Sequence, residues 1–446
     1  MVVASEAPPR RFSIAHLALI VPLVALVIAA WGPITDNSFL WHIRAGSLQA
    51  RSGSVLTTDP FSFTRFGEDW LTQSWLVELL YAWGESFSGL GFVAPMILIV
   101  TTITFACIAL ISYRVSGNVT ATAFVLILTT LLMISFLVPR PVLFSFLLFS
   151  VLVLAWDKPN LRWTVPFIVW VWAATHGSFV IGLVYLGLTW LMNKEWKYTP
   201  TLLLTALVTL FTAHGLGVLE FLASFAESRE ALNYISEWRK PELFSVVFLP
   251  FLGGVVFIVI GAFRGFIFPK HLWLIVPFVL LGMSSVRAIP PAWLGLVPLV
   301  ALSLSGLTLG SGRRFGQVSA VVFAVTVVLI SVLVKPQGGL AEDRFPAAAL
   351  SSLDKVPTYH DDRAGGFLIW AEGPERPVYI DDRAELYRDR MGEFVRVRDG
   401  DEDWRPIFER DGIEQVLLKA DESLLDELMD AGWVKVYEDE FYVVLR

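Results

Sequence analysis

The chain has 446 residues, 55% of them hydrophobic and only 17% charged, against about 25% charged in a soluble globular protein. That deficit excludes a disordered, fibrous or ordinary cytosolic protein. The net charge of −7 is uneven: residues 1–336 hold 20 Lys+Arg against 14 Asp+Glu, and residues 337–446 hold 14 against 27, so the tail is too acidic for nucleic acid.

Apolar runs between charged or Pro/Gly-rich breaks predict membrane spans near 12–31, 91–113, 121–138, 142–156, 163–175, 177–192, 199–213, 244–263, 271–286, 290–310 and 317–334. Most approach the ~20 residues that cross a bilayer. The reading is an α-helical polytopic membrane protein of about eleven spans, domain 1–336, followed by a small soluble α/β domain, 337–446. The pieces 163–175 and 177–192 are short enough for one bent hairpin or two tilted helices. Arg10-Arg11-Phe12 is similar to a twin-arginine export signal, but the run after it is long enough to span and no clear small-residue cleavage site follows. Cys107 lies inside an apolar run, where it reads as a small core residue, and a single cysteine permits no intrachain disulfide.

Loop charge sets the orientation. With a cytoplasmic N-terminus, Arg10-Arg11, Arg114, Lys158/Arg162, Lys194/Lys197, Arg264/Lys270 and Arg313-Arg314 all fall on the inner side, and the opposite short loops hold only Arg140 and Arg287. Loop 32–90, loop 214–243 and the tail then face outward. No Asp, Glu, Lys or Arg falls inside any assigned span, which weighs against an ion-coupled transporter or a lipid flippase.

Loop 32–90 is far longer than a connection requires. It carries Asp36, then Trp41-His42 and Gly46, then Asp59-Pro60-Phe61-Ser62, and then Trp70 and Trp75-Leu76-Val77-Glu78. Leu71, Trp75, Leu79, Trp83 and Phe87 recur every four residues as one apolar stripe, which predicts a helix in the membrane interface. Packing against the protein explains the same stripe.

This segment resembles the first outer loop of bacterial multi-pass proteins related to the GT-C glycosyltransferases, the class that includes dolichyl-phosphate-mannose protein mannosyltransferases. Sparser echoes follow in order: Arg140-Pro141, His176-Gly177-Ser178, Glu237-Trp238 before Pro241, Gly365-Gly366-Phe367, and Asp381-Asp382-Arg383-Ala384-Glu385-Leu386-Tyr387. The resemblance implies transfer of a sugar from a polyprenyl-phosphate carrier to an unidentified glycan, lipid or protein acceptor, on the outer face of a bacterial plasma membrane. Asp36 is the family-matched candidate for general base, its plainer role being to cap a helix starting near Phe39. Arg140 and Arg287 are candidates for holding the carrier phosphate, or simply for snorkelling to lipid headgroups. His42 and His176 could donate hydrogen bonds or ligate a metal, the plainer reading of His176 being a structural histidine. Arg44, Asp59, Trp75 and Glu78 are candidate acceptor-side contacts. Relatives often have a second Asp two residues after the first; here Ser38 stands there, and no His or carboxylate spacing supports a divalent cation or another cofactor. That departure keeps open a noncatalytic member of the scaffold that binds a glycan or assists envelope assembly.

In the tail, Arg376–Ile380, Glu414–Lys419 and Trp433–Tyr437 read as strands, Ser423–Ala431 as a helix, and Tyr437–Leu445 as a hairpin. Asp381, Asp382, Arg383 and Glu385 form its densest polar cluster, with surface salt bridging as the plainest reading.

Overall fold

The computed structural model describes residues 31–220, 223, 236–307 and 339–446. The predicted spans 12–31 and 317–334, most of 221–235, and the double arginines Arg10-Arg11 and Arg313-Arg314 lie outside the described residues. The helices that lie wholly within the described residues ahead of the tail are α1 (Asn37–Ser52), α2 (Trp75–Ser88), α3 (Val93–Ser116), α4 (Val119–Met133), α5 (Val142–Asp157), α6 (Val165–Ala173), α7 (Phe179–Asn193), α8 (Thr199–Val208), α9 (Phe248–Phe263), α10 (Leu272–Ser284) and α11 (Ile289–Ser303). Each predicted span between 91 and 310 overlaps one of them. Among the described residues three stretches, Trp75–Ser116, Val119–Phe136 and Val286–Ser303, are long and apolar enough to cross a membrane. The other apolar helices fall short of the ~20 residues of a perpendicular crossing. Their composition fits a membrane protein.

Local chemistry explains where these helices start and how they hold polar residues. Asp36 and Asn118 cap α1 and α4 through their side chains, and Gly117, at φ 63°, ends α3 in the left-handed conformation that glycine adopts without strain. Threonines inside the apolar helices return their hydroxyls to the preceding turn, as in Thr101 to Ile97 O at 2.6 Å and Thr104 to Val100 O at 2.7 Å. Thr129 also accepts from the buried Trp293 Nε1 at 2.8 Å, tying α4 to α11.

The stripe on α2 faces outward. Trp83 and Phe87 are exposed, and the packed face is Val77, Glu78 and Tyr81. Its inner face meets α1 at Gly46, where an added Cβ would lie 1.9 Å from the Glu78 carbonyl oxygen. We therefore expect Gly46→Ala to cost about 1–3 kcal/mol, read as a lowered thermal midpoint, while Gly187→Ala, with nothing within 4 Å, leaves it unchanged. Equal midpoints for the two variants would refute this account of the α1–α2 contact.

The tail forms a four-stranded sheet from β1 (Thr358–His360), β2 (Gln415–Lys419), β3 (Lys435–Glu438) and β4 (Tyr442–Leu445), in the order β1-β2-β4-β3. β1 runs parallel to β2, with Tyr359 opposite Val416, and the other pairs are antiparallel. β2 and β4 are buried, and the edge strand β3 carries exposed Lys435 and Glu438. Helices α12 (Asp362–Glu372), α13 (Met391–Arg398), α14 (Arg405–Asp411) and α15 (Leu424–Asp430) pack around it.

One predicted strand is corrected. Arg376–Ile380 does not join the sheet, because Val378 bridges Ser62 of the outer loop, and Arg376 bonds the Leu353 and Asp354 carbonyls. The tail and loop 32–90 share one core. Helix α12 lies on α1 so closely that a Cβ at Gly366 would be 2.6 Å from the Asn37 carbonyl oxygen, and Trp370 Nε1 donates to Glu85 at 2.6 Å.

Candidate active site

The junction of the helical bundle, loop 32–90 and the tail encloses a cavity of about 460 Å³. Arg140 reaches it from the turn before α5, and Arg287 from the turn before α11. Helix α1 contributes Trp41 and His42, α2 contributes Glu78, the α6–α7 turn contributes His176 and Ser178, and the tail contributes Asp382. Toward the bundle the walls become apolar, with Phe146, Phe149 and Leu281.

Three carboxylates meet two arginines here. Asp36 accepts from Phe39 N at 3.0 Å through Oδ1 and from Arg140 Nε at 2.5 Å through Oδ2, so it caps α1 and orients Arg140 at once. Arg140 Nη1 donates to Glu237 at 3.0 and 3.2 Å. Arg287 Nη1 lies 3.5 Å from Glu237 Oε2, with its guanidinium 5.2 Å from the Trp238 ring centroid. Neither Asp36 nor Glu237 lines the cavity, whereas Asp382 does. Trp41 Nε1 donates to Asp382 Oδ1 at 2.6 Å, and Oδ2 makes no hydrogen bond among the described residues.

Electrostatics separates these groups. Burial lifts the Asp382 carboxyl to about 7; Arg140 pulls it down, and the neighbouring Asp381 and Asp36 charges push it up. Burial lowers Arg140, but Asp36 and Glu237 outweigh it and hold the guanidinium above its ordinary range. His176 is pushed down to about 3 by burial and then by Arg287, so it is neutral at working pH, with Ser178 Oγ 2.9 Å from Nδ1.

The remaining sequence candidates divide in two. His42 and Glu78 reach the cavity: His42 Nδ1 is 2.8 Å from Glu78 Oε1, its ring stacks on Trp41 at 3.5 Å, and Thr72 and Gln49 also donate to Glu78. Arg44, Asp59 and Trp75 do not line it. Arg44 Nε donates to Ile369 O of α12 at 3.3 Å, and Trp75 starts α2. Asp59 lies in a buried network with Arg383, where Nη1 donates to it at 2.7 Å. The tail cluster is therefore not surface salt bridging, since Asp381 and Arg383 are buried. Among the described residues no group of three or more His, Cys, Asp or Glu is arranged to hold a metal ion. Two residues that carry the site, Glu237 and Asp382, drew no role from sequence, although both lie in the echoes noted above.

No protein-family model matches the chain, and no curated protein matches it. Solved structures do. The crystal structure of the Archaeoglobus fulgidus oligosaccharyltransferase in its apo form aligns with a TM-score of 0.57 over 91% of this chain and 69% of that one, at 10% identity. The chain folds like an oligosaccharyltransferase. At that identity the likeness is one of fold. The match runs over nearly the whole chain, helices and tail together.

Proposed function

We propose that the protein is a membrane glycosyltransferase. It moves a sugar from a polyprenyl-phosphate carrier to an acceptor hydroxyl, at the outward face of a bacterial plasma membrane with the N-terminus inside. The supporting observation is the cavity that sets Arg140 and Arg287 against Asp382, with apolar walls on the bundle side. Fold alone does not fix activity; this placement of charge does the arguing.

In this reading the acceptor oxygen attacks the anomeric carbon while the bond from that carbon to the phosphate oxygen breaks. The phosphate leaves with the electron pair, and Arg140 and Arg287 hold its growing charge. The hydroxyl proton goes to a carboxylate. Asp36 was the sequence candidate, but both its oxygens are engaged. Asp382 has the open oxygen on the cavity, so we assign it the proton and give Asp36 the orientation of Arg140. A single displacement inverts the anomeric carbon. His42 and neutral His176 supply donors for sugar or phosphate oxygens, and Phe146, Phe149 and Leu281 line the way for the first isoprene units.

Arg140 tests the phosphate site. Arg140→Ala should lose carrier affinity by about 10–100-fold, the scale of one charge-assisted hydrogen bond, and Arg140→Lys should not restore it fully because the planar fork is lost. Binding of labelled polyprenyl-phosphate sugar to purified protein measures both. Wild-type affinity in Arg140→Ala would remove this site from the reaction. Tight binding by the wild type without sugar release, under any acceptor supplied, would favour the noncatalytic scaffold that Ser38 keeps open.

A further inference from the structure

The main cavity uses one end of α5, α7, α10 and α11. A second cavity, of about 300 Å³, lies at the other end of the same four helices. Phe149 on the first wall and Tyr185 on the second pack with Phe278 between the two cavities, their ring centroids 5.5–6.3 Å apart. The cavities are thus separated by an aromatic layer.

The second cavity is lined by Arg114 and Arg162 together with Asp157, Asn193 and His271. Arg162 is buried and fixed on several sides. Its Nε donates to Trp156 O at 2.6 Å and its Nη2 to Glu195 Oε1 at 2.9 Å. Its guanidinium lies 4.5 Å from the Trp156 ring centroid and 4.0 Å from that of Tyr198. Its Nη1 is buried with no hydrogen-bond partner among the described residues. A guanidinium held this rigidly with one donor left over is preorganised for an anion, since the ordering cost of binding is already met. Arg114, exposed in the last turn of α3, lines the same cavity and makes no hydrogen bond or ion pair among the described residues. Asp157 is the one carboxylate on the wall among the lining residues.

The surroundings indicate which anion. Lys158, Lys194, Lys197, Arg264 and Lys270 lie on the connections at this end of the bundle. Tyr113, Leu191, Leu272 and Trp273 expose large apolar surfaces beside it, the composition of helix ends at headgroup depth. Basic pockets between membrane helices accommodate anionic headgroups.

We propose that this second cavity binds the phosphate of an anionic membrane lipid, with Arg162 and Arg114 donating to its oxygens and Asp157 accepting a headgroup hydroxyl. The acyl chains lie on the apolar surface outside. The site takes no part in the transfer reaction and does not depend on that assignment.

Thermal unfolding of the full chain in detergent tests this, with mixed micelles of phosphatidylglycerol, of phosphatidylcholine, or with inorganic phosphate added. Ligand that binds only the folded state raises the midpoint in proportion to its affinity. Phosphatidylglycerol should raise it by several degrees, well beyond phosphatidylcholine, and inorganic phosphate should leave it unchanged. Arg114→Ala, at an exposed position, and Arg162→Lys, which keeps a cation, should each weaken the apparent affinity about 10-fold or more. Lys270→Ala, off the cavity wall, should keep the full shift. An equal shift with phosphatidylcholine, full retention in both arginine variants, or the same loss in Lys270→Ala would overturn the site. An equal shift with inorganic phosphate alone would replace the lipid by a free anion and overturn the assignment as stated.

Discussion

Replacing Asp382 by Asn should abolish sugar transfer by about 10²–10⁴-fold, the usual contribution of a positioned general base, with carrier affinity and thermal midpoint near wild type. Asn retains an Oδ1 that can accept from Trp41 Nε1, the one hydrogen bond to the Asp382 carboxylate among the described residues, so packing is preserved while the proton acceptor is lost. The pH profile gives a second readout. Burial raises Asp382 to about 7, and a base works in its deprotonated form, so the wild-type rate should rise with pH through about 7 and level off above it. The Asp382→Asn residual rate should lack that rise. Asp36→Asn should behave differently. Asn can still cap α1 but cannot pair with Arg140 as a charge, so the loss should fall mainly on carrier binding, by about 10-fold or more. A kcat collapse in Asp36→Asn beside near-normal kcat in Asp382→Asn would return the base to Asp36.

Much of this arrangement was legible in the sequence, and the reason is chemical. Apolar helices in a bilayer need long uncharged runs, so a lone cation between two runs stands out, as Arg140 and Arg287 do. Both reach the cavity. A carboxylate before a helix suits cap and base alike, so the sequence leaves Asp36 open between them, and only the folded chain brings Arg140 onto its second oxygen. Asp382 could not be placed from sequence, since nothing local separates a surface acidic cluster from one buried against another segment. Its neighbour Arg383 gave the one available clue: an arginine between acidic residues, within a run of echoes to the same family as the outer loop. Arg376–Ile380 misled for a related reason. Its β-branched and aromatic run Val378-Tyr379-Ile380 suits a strand, but its partner is Ser62 in the outer loop, and the first sheet strand is instead the three-residue Thr358–His360.

Arg383 carries the largest expected effect on stability. It is fully enclosed, donating to Asp381 at 2.6 and 2.8 Å and to Asp59 at 2.7 Å, and it lies 4.5 Å from the Trp70 ring centroid. Tyr387 OH adds a bond to Asp381 at 3.0 Å, and Ser62 Oγ one to Asp59 at 2.5 Å. The network joins outer loop to tail, directly behind Asp382. Removing one partner of a buried ion pair leaves an uncompensated charge, so Arg383→Met should cost about 3–5 kcal/mol. Lys should rescue little, because a single ammonium cannot match the planar fork that spans both carboxylates. The loss should be reversible by chemistry rather than by contact: adding Asp59→Asn and Asp381→Asn to Arg383→Met removes the stranded charges, and neutral replacement of buried ionic groups is often close to neutral in stability. Asn at position 59 can still accept from Phe61 N, as Asp59 does at 3.1 Å. Unfolding midpoints of the single and triple variants decide the matter. A single variant as stable as wild type would mean that the network does not hold tail to loop, and a triple variant no better than the single would place its value in the bonds themselves rather than in charge balance.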